Sequence, residues 1–157
     1  GSYYYPITSK WRTSITGSSG YIFGIGGRDV RINDRFFVGG DDLRGFRNAG
    51  IGPRDTATRD ALGGNAYYTT TAELKFPLGL PDELGISGAV FGDAGSLWKI
   101  DNSIVGISQS NAIRASVGAG ILWTSPFGPI RVDFAHAVAK QREDLTETMR
   151  FSFGTRF

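Results

Sequence analysis

Hydrophobic and polar residues alternate along much of this chain, and the alternation marks β-strands. Between residues 113 and 124 the odd positions are apolar, whereas most even positions are polar or glycine. The same pattern recurs in residues 66–78, 130–138 and 149–157, and in weaker form in residues 2–7, 11–23 and 86–95. Because a period of two is the spacing of a strand with one apolar face, the pattern predicts about seven strands.

The connections between these segments alternate in length. Residues 8–10, 79–84 and 126–128 form short connections, whereas residues 27–64, 97–111 and 140–146 form longer ones. In an antiparallel meander this puts every short turn on one side and every long loop on the other, as in bacterial outer-membrane barrels. A soluble sandwich has the same strand alternation but no need for this asymmetry. We therefore predict an all-β fold, an antiparallel up-and-down transmembrane β-barrel.

About seven strands is an awkward number for a complete barrel. Single-chain bacterial barrels close with an even number of strands, and an open edge in lipid leaves backbone groups unpaired. The first residues, 1–5, already follow a strand-like pattern. We therefore expect residues 1–157 to be a piece of a larger barrel.

The longest connection, about residues 27–64, contains Arg44-Gly45-Phe46. Loops beyond about 12–15 residues are usually functional or disordered, and this one is too rich in apolar and aromatic residues for simple disorder. Arginine supplies the planar, permanently charged group that a bidentate carboxylate contact requires. Parity puts Glu73 and Asp93 inside the barrel, so Arg44 could reach both and clamp the loop in the lumen. The alternative is that the carboxylates line water and Arg44 is a solvated loop charge.

Composition argues against most kinds of chemistry. The chain has no cysteine, which excludes disulfides, thiolate catalysis and sulfur-ligated zinc, and its net charge of +2 is too small to indicate a nucleic-acid partner. The one histidine, His136, is close to Asp133 in sequence, but no nucleophile-elbow motif accompanies them. We predict no enzyme activity, no catalytic residue, no metal site and no cofactor.

Six short motifs, taken in order, resemble those of a known family. They are Phe37-Val38-Gly39-Gly40, Leu43-Arg44-Gly45-Phe46, Ile51-Gly52-Pro53-Arg54, Gly63-Gly64-Asn65-Ala66, Phe91-Gly92-Asp93-Ala94-Gly95 and Trp123-Thr124-Ser125-Pro126-Phe127-Gly128-Pro129. The set resembles the BamA family, the barrel subunits of the bacterial outer-membrane β-barrel assembly machinery. The resemblance implies a sixteen-stranded barrel of which these are about the last seven strands, with the N-terminal barrel strands and periplasmic domains absent. It also implies that Arg44 contacts Glu73 and Asp93.

What the resemblance implies about function is the folding and insertion of other β-barrel proteins into the bacterial outer membrane. The last strand pairs loosely with the first, and this lateral gate accepts a substrate strand by β-augmentation. The gate strand here carries Met149, Phe151, Phe153, Gly154 and Phe157. The implied partners are outer-membrane lipid, unfolded outer-membrane proteins, and accessory assembly lipoproteins bound through the missing periplasmic domains.

Other classes of protein stay open. A related translocation and assembly barrel, or a two-partner secretion transporter, shares the fold and often the loop motif. A passive porin would need a closed, even-stranded barrel and a charged constriction loop. An outer-membrane enzyme is the weakest alternative, and its activity would depend on His136.

Overall fold

The computed structural model describes residues 1–24, 31, 34–55, 57–98, 107–108, 112–142 and 144–153. Within them the chain forms one sheet of seven strands, each antiparallel to its neighbours in sequence. The strands are β1 (Ser2–Pro6), β2 (Arg12–Tyr21), β3 (Ala66–Pro77), β4 (Ile86–Trp98), β5 (Arg114–Ser125), β6 (Gly128–Ala139) and β7 (Met149–Phe153). The sheet is therefore a simple meander.

Two minor elements complete the described structure. A short antiparallel pairing joins Arg54–Asp55 to Ile107–Ser108, and a 3-10 helix spans Asp82–Leu84 between β3 and β4. Among the described residues, no helix is long and apolar enough to cross a membrane.

The predicted seven-stranded meander is confirmed, together with its alternation of short turns and longer loops. Some strand bounds differ from the prediction by a few residues. The strand predicted to end at residue 95 extends to Trp98, because its pairing with β3 continues to Ala66. The strand predicted over residues 149–157 is described as far as Phe153.

The two faces of the sheet present different residues. On the face that the long loop covers, which we call the inner face, Asp93, Ser116 and Asp133 are buried. On the opposite, outer face, Val117 and Ile121 are 50% and 51% exposed. An apolar surface that continues along whole strands suits lipid, whereas a soluble monomer rarely exposes one.

The buried apolar core lies between the long loop and the inner face. It consists of Val38, Leu43, Phe46 and Ile51 from the loop and Leu97 from β4. Phe36 packs against Tyr67 of β3, with 4.7 Å between ring centroids. The loop comes so close that Gly52, with a φ of +102°, could not carry a Cβ, which would lie 2.6 Å from Leu97 Cδ2. The loop is thus packed onto the sheet along much of its described length.

Candidate functional site

Arg44 lies on the inner face between β3 and β4. Its Nε and Nη2 donate hydrogen bonds to Oδ2 and Oδ1 of Asp93, both at 2.8 Å, and its Nη1 donates to Oε2 of Glu73 at 2.6 Å. The backbone N–H of Arg44 also donates to Asp93 Oδ2, at 2.9 Å. All three residues are buried. Arg44 therefore makes a forked contact with one carboxylate and a further ion pair with the other, for which a planar guanidinium is suited.

The register of β3 and β4 explains why the two carboxylates converge. Glu73 lies opposite Phe91, and Asp93 follows two residues later on β4, so all three project from the inner face. The Cζ of Arg44 lies 3.5 Å from the centroid of the Phe91 ring, within cation–π distance. Ser116 of β5 donates its hydroxyl to the carbonyl of Arg44. The guanidinium is thus held by carboxylates at its edges and an aromatic ring at its face.

Gly45 and Phe46 bring the loop against the wall beside Arg44. Gly45 has a φ of +92°, and a Cβ there would lie 2.9 Å from the Cβ of Ser116. Phe46 is fully buried in the core together with Leu43. In the motif the arginine supplies the charge, the glycine permits the close approach and the phenylalanine anchors the loop in apolar surroundings.

Arg131 and Asp133 also belong to the site, and the sequence argument missed both. Arg131 of β6 donates from Nη2 to Glu73 Oε2 at 2.6 Å and from Nε to Asp133 Oδ2 at 2.7 Å. Gly120 of β5 lies opposite Asp133, and a Cβ at Gly120 would collide with Oδ1 of that carboxylate, so the glycine leaves room for Asp133. Alternation along β6 puts both residues on the inner face, but the contact with Glu73 depends on register across four strands. The strand pattern alone does not give that register.

The charges of the site balance. Arg44, Lys75 and Arg131 face Glu73, Asp93 and Asp133. Buried charges are tolerated when each has a partner of opposite sign. Burial by itself lowers the pKa of Arg44, but the hydrogen bonds and charges of Asp93 and Glu73 outweigh it and raise that pKa above its usual value. The loop arginine therefore stays charged throughout the physiological range.

β7 presents the predicted gate residues on the outer face. Met149, Phe151 and Phe153 are 56%, 61% and 54% exposed. Arg150 and Ser152 alternate with them on the inner face and are half-buried. The two remaining residues predicted for the gate, Gly154 and Phe157, lie outside the described residues.

His136 lies apart from the inner-face charges. It is exposed on the outer face of β6, whereas Asp133 is buried on the inner face. Residues separated by an odd number of positions along a strand point to opposite faces. The histidine and this carboxylate therefore do not form the pair that a hydrolase would need.

An antiparallel meander with an apolar outer face and a charged, clamped loop on its inner face defines part of a transmembrane β-barrel protein. The particular family follows from comparison with known proteins. The chain belongs to the Omp85 superfamily, whose domain matches residues 1–157.

The relatives of this chain include outer-membrane assembly proteins. It is 43% identical, over 92% of its length, to the outer membrane protein assembly factor BamA of Neorickettsia risticii, of which it covers 19%. It is 30% identical, over 90% of its length, to the sorting assembly machinery 50 kDa subunit of Saccharomyces cerevisiae, of which it covers 30%. A crystal structure of BamA from Haemophilus ducreyi lacking POTRA domains 1–3 matches with a TM-score of 0.83 and 27% identity, over 96% of this chain and 32% of that one. The chain thus spans about a fifth of the BamA relative named first.

Replacing Gly45 with alanine should loosen the loop around Arg44. The new Cβ would meet Ser116 at 2.9 Å, and the backbone would keep a φ of +92° that side chains other than glycine rarely adopt. We expect faster hydrogen exchange in residues 43–51, measured by mass spectrometry on the folded protein in lipid. Gly17→Ala on β2 is the matched control, because nothing lies within 4 Å of the added Cβ. Equal exchange in the two variants would contradict the close-approach role of Gly45.

Proposed function

We propose that this chain is the C-terminal part of a sixteen-stranded barrel in the bacterial outer membrane that folds and inserts other β-barrel proteins. The observation that carries the proposal is the match of the whole chain to the Omp85 superfamily, together with the names of its BamA relatives. The clamped loop supports it, because the motif arginine meets the two inward carboxylates that the family resemblance implies.

The route for insertion that we propose is a lateral gate at β7. Within the described residues, main-chain pairing of β7 with β6 runs from Phe153 opposite Ile130 to Met149 opposite Phe134. The family resemblance implies that this last strand pairs only loosely with the first strand of the complete barrel, which would allow the seam between them to open. An incoming client strand would then add to the exposed edge through backbone hydrogen bonds, which supply affinity without a sequence-specific pocket.

The partners follow from the same proposal. Outer-membrane lipid covers the apolar outer face, and unfolded outer-membrane proteins pair at the gate. Accessory assembly lipoproteins bind periplasmic domains that precede the barrel in the complete protein. None of these steps needs covalent chemistry or a cofactor.

A reversible lock on the gate tests the function. In the complete protein, reconstituted in vesicles, one cysteine is placed on β7 and one on the first barrel strand; residues 1–157 contain no cysteine to interfere. Oxidation should leave the barrel folded but stop insertion of an unfolded outer-membrane protein, and reduction should restore it. Insertion at the normal rate by the oxidised protein would rule out opening at β7. A protein that conducts ions but inserts no client in either state would instead be a porin.

A further inference from the structure

The long loop contacts the segment just before β7, residues 145–147, as well as the wall formed by β3 and β4. Arg47 N–H donates to the carbonyl of Leu145 at 3.0 Å, and Leu145 N–H donates to the carbonyl of Gly50 at 2.9 Å. Glu147 N–H donates to the carbonyl of Gly45 at 2.9 Å. The loop thus forms backbone hydrogen bonds with the residues that immediately precede β7.

A side-chain contact extends this pairing onto β7 itself. Arg150 Nε donates to Asp41 Oδ1 at 2.5 Å, and its Nη2 donates to Asn48 Oδ1 at 3.4 Å. Its Nη1 donates to Glu147 Oε2 at 3.4 Å. Asp41 and Asn48 flank the Arg44 motif in the loop, so the part of the loop that is clamped to the wall also contacts the inner face of the last strand.

We propose that Arg150 is a positioning residue through which the docked loop holds β7 in place. The inference rests on the proposed function, because it concerns the strand that forms the gate. Among the described residues, β7 pairs with β6, and Asp41 and Asn48 of the loop contact it through Arg150. Departure of the loop would remove those contacts together, and movement of β7 would break the Asp41–Arg150 pair. The state of the loop and the position of the gate strand are therefore coupled.

The chemistry of the Asp41–Arg150 pair suits a contact that must open. The Asp41 side chain is 69% exposed and that of Arg150 is 21% exposed, whereas Arg44 and Asp93 are 9% and 0% exposed in their own pair. Solvent-exposed ion pairs are weak, whereas a buried pair resists separation because a stranded charge is costly. The loop therefore has one firm attachment, to the wall, and one weaker attachment, to β7.

The test is a double-mutant cycle in the complete protein, folded in vesicles without any client. Arg150→Gln and Asp41→Asn should each speed hydrogen exchange of residues 149–153 several-fold and leave β4 and β5 unchanged. The double variant should be no faster than either single variant, because both remove the same interaction. Arg150→Lys should keep most of the protection, since its ammonium group still pairs with Asp41. Lys10→Gln, which breaks an exposed ion pair with Asp82, is the control and should leave β7 unaffected.

The outcomes separate this inference from the proposed function. Unchanged exchange in the single variants, or effects that simply add in the double variant, would overturn the role of Arg150 whatever the insertion rate. Faster exchange of β7 in a protein whose locked gate still inserts clients would support the coupling and reject the gate mechanism.

Discussion

Replacing Arg44 with alanine should release the long loop from the wall while the seven strands stay paired. Arg44 takes no part in the hydrogen bonds that pair the strands. Glu73 keeps a hydrogen bond of 2.6 Å from Arg131. Asp93, only 2% exposed, loses the two hydrogen bonds that it accepts from the Arg44 side chain and keeps the one from the backbone N–H of residue 44. Removing one member of a buried ion pair typically costs about 3–5 kcal/mol, because the other charge is left without compensation. The lost free energy therefore weakens the docking of the loop and leaves the paired strands of the barrel wall intact.

Hydrogen exchange measures this outcome directly. In the Arg44→Ala protein, residues 36–52 should exchange much faster, whereas residues 114–125 should keep their protection. Arg47→Ala is the matched control, because it removes an exposed arginine from the same loop. If residues 36–52 exchanged as slowly as in the unaltered protein, Arg44 would not be what holds the loop.

The strands could be predicted from sequence because their signal is local and periodic. Alternation in residues 113–124 and 130–138 reflects one face against lipid and one against the lumen, so each strand carries its own evidence. The same parity put Glu73 and Asp93 on one face and made them candidates for Arg44. Two carboxylates on adjacent strands and an arginine in an overlong loop were enough to suggest the clamp.

The contacts that sequence did not predict depend on register or on irregular backbone. Arg131 of β6 reaches Glu73 of β3 across β4 and β5, so the contact depends on the register of all four strands. The backbone hydrogen bonds between the loop and Leu145 join two segments that have no periodic alternation of apolar and polar residues. No sequence pattern therefore predicts them. Such contacts are set by the assembled sheet and not by the residues of one segment.

Replacing Phe151 with arginine should prevent β7 from inserting into the membrane. Phe151 is 61% exposed on the outer face, between inner-face neighbours Arg150 and Ser152. A charged side chain on the lipid face of a barrel costs about 2–4 kcal/mol near the midplane. Sliding β7 by one residue would not relieve this, because Arg150 would then move from the lumen into lipid. Neither register of the variant keeps all charge out of the hydrocarbon.

The measurement is the fraction of the complete barrel that folds into vesicles, read from its heat-modifiable mobility on gels and its resistance to protease. Phe151→Arg should lower that fraction sharply. Phe151→Leu, which keeps an apolar side chain in lipid, should fold normally, and so should Ser152→Gln, because its polar side chain faces the lumen. Equal folding of Phe151→Arg and Ser152→Gln would mean that the outer face of β7 does not meet lipid, and the proposed position of the gate strand would have to be abandoned.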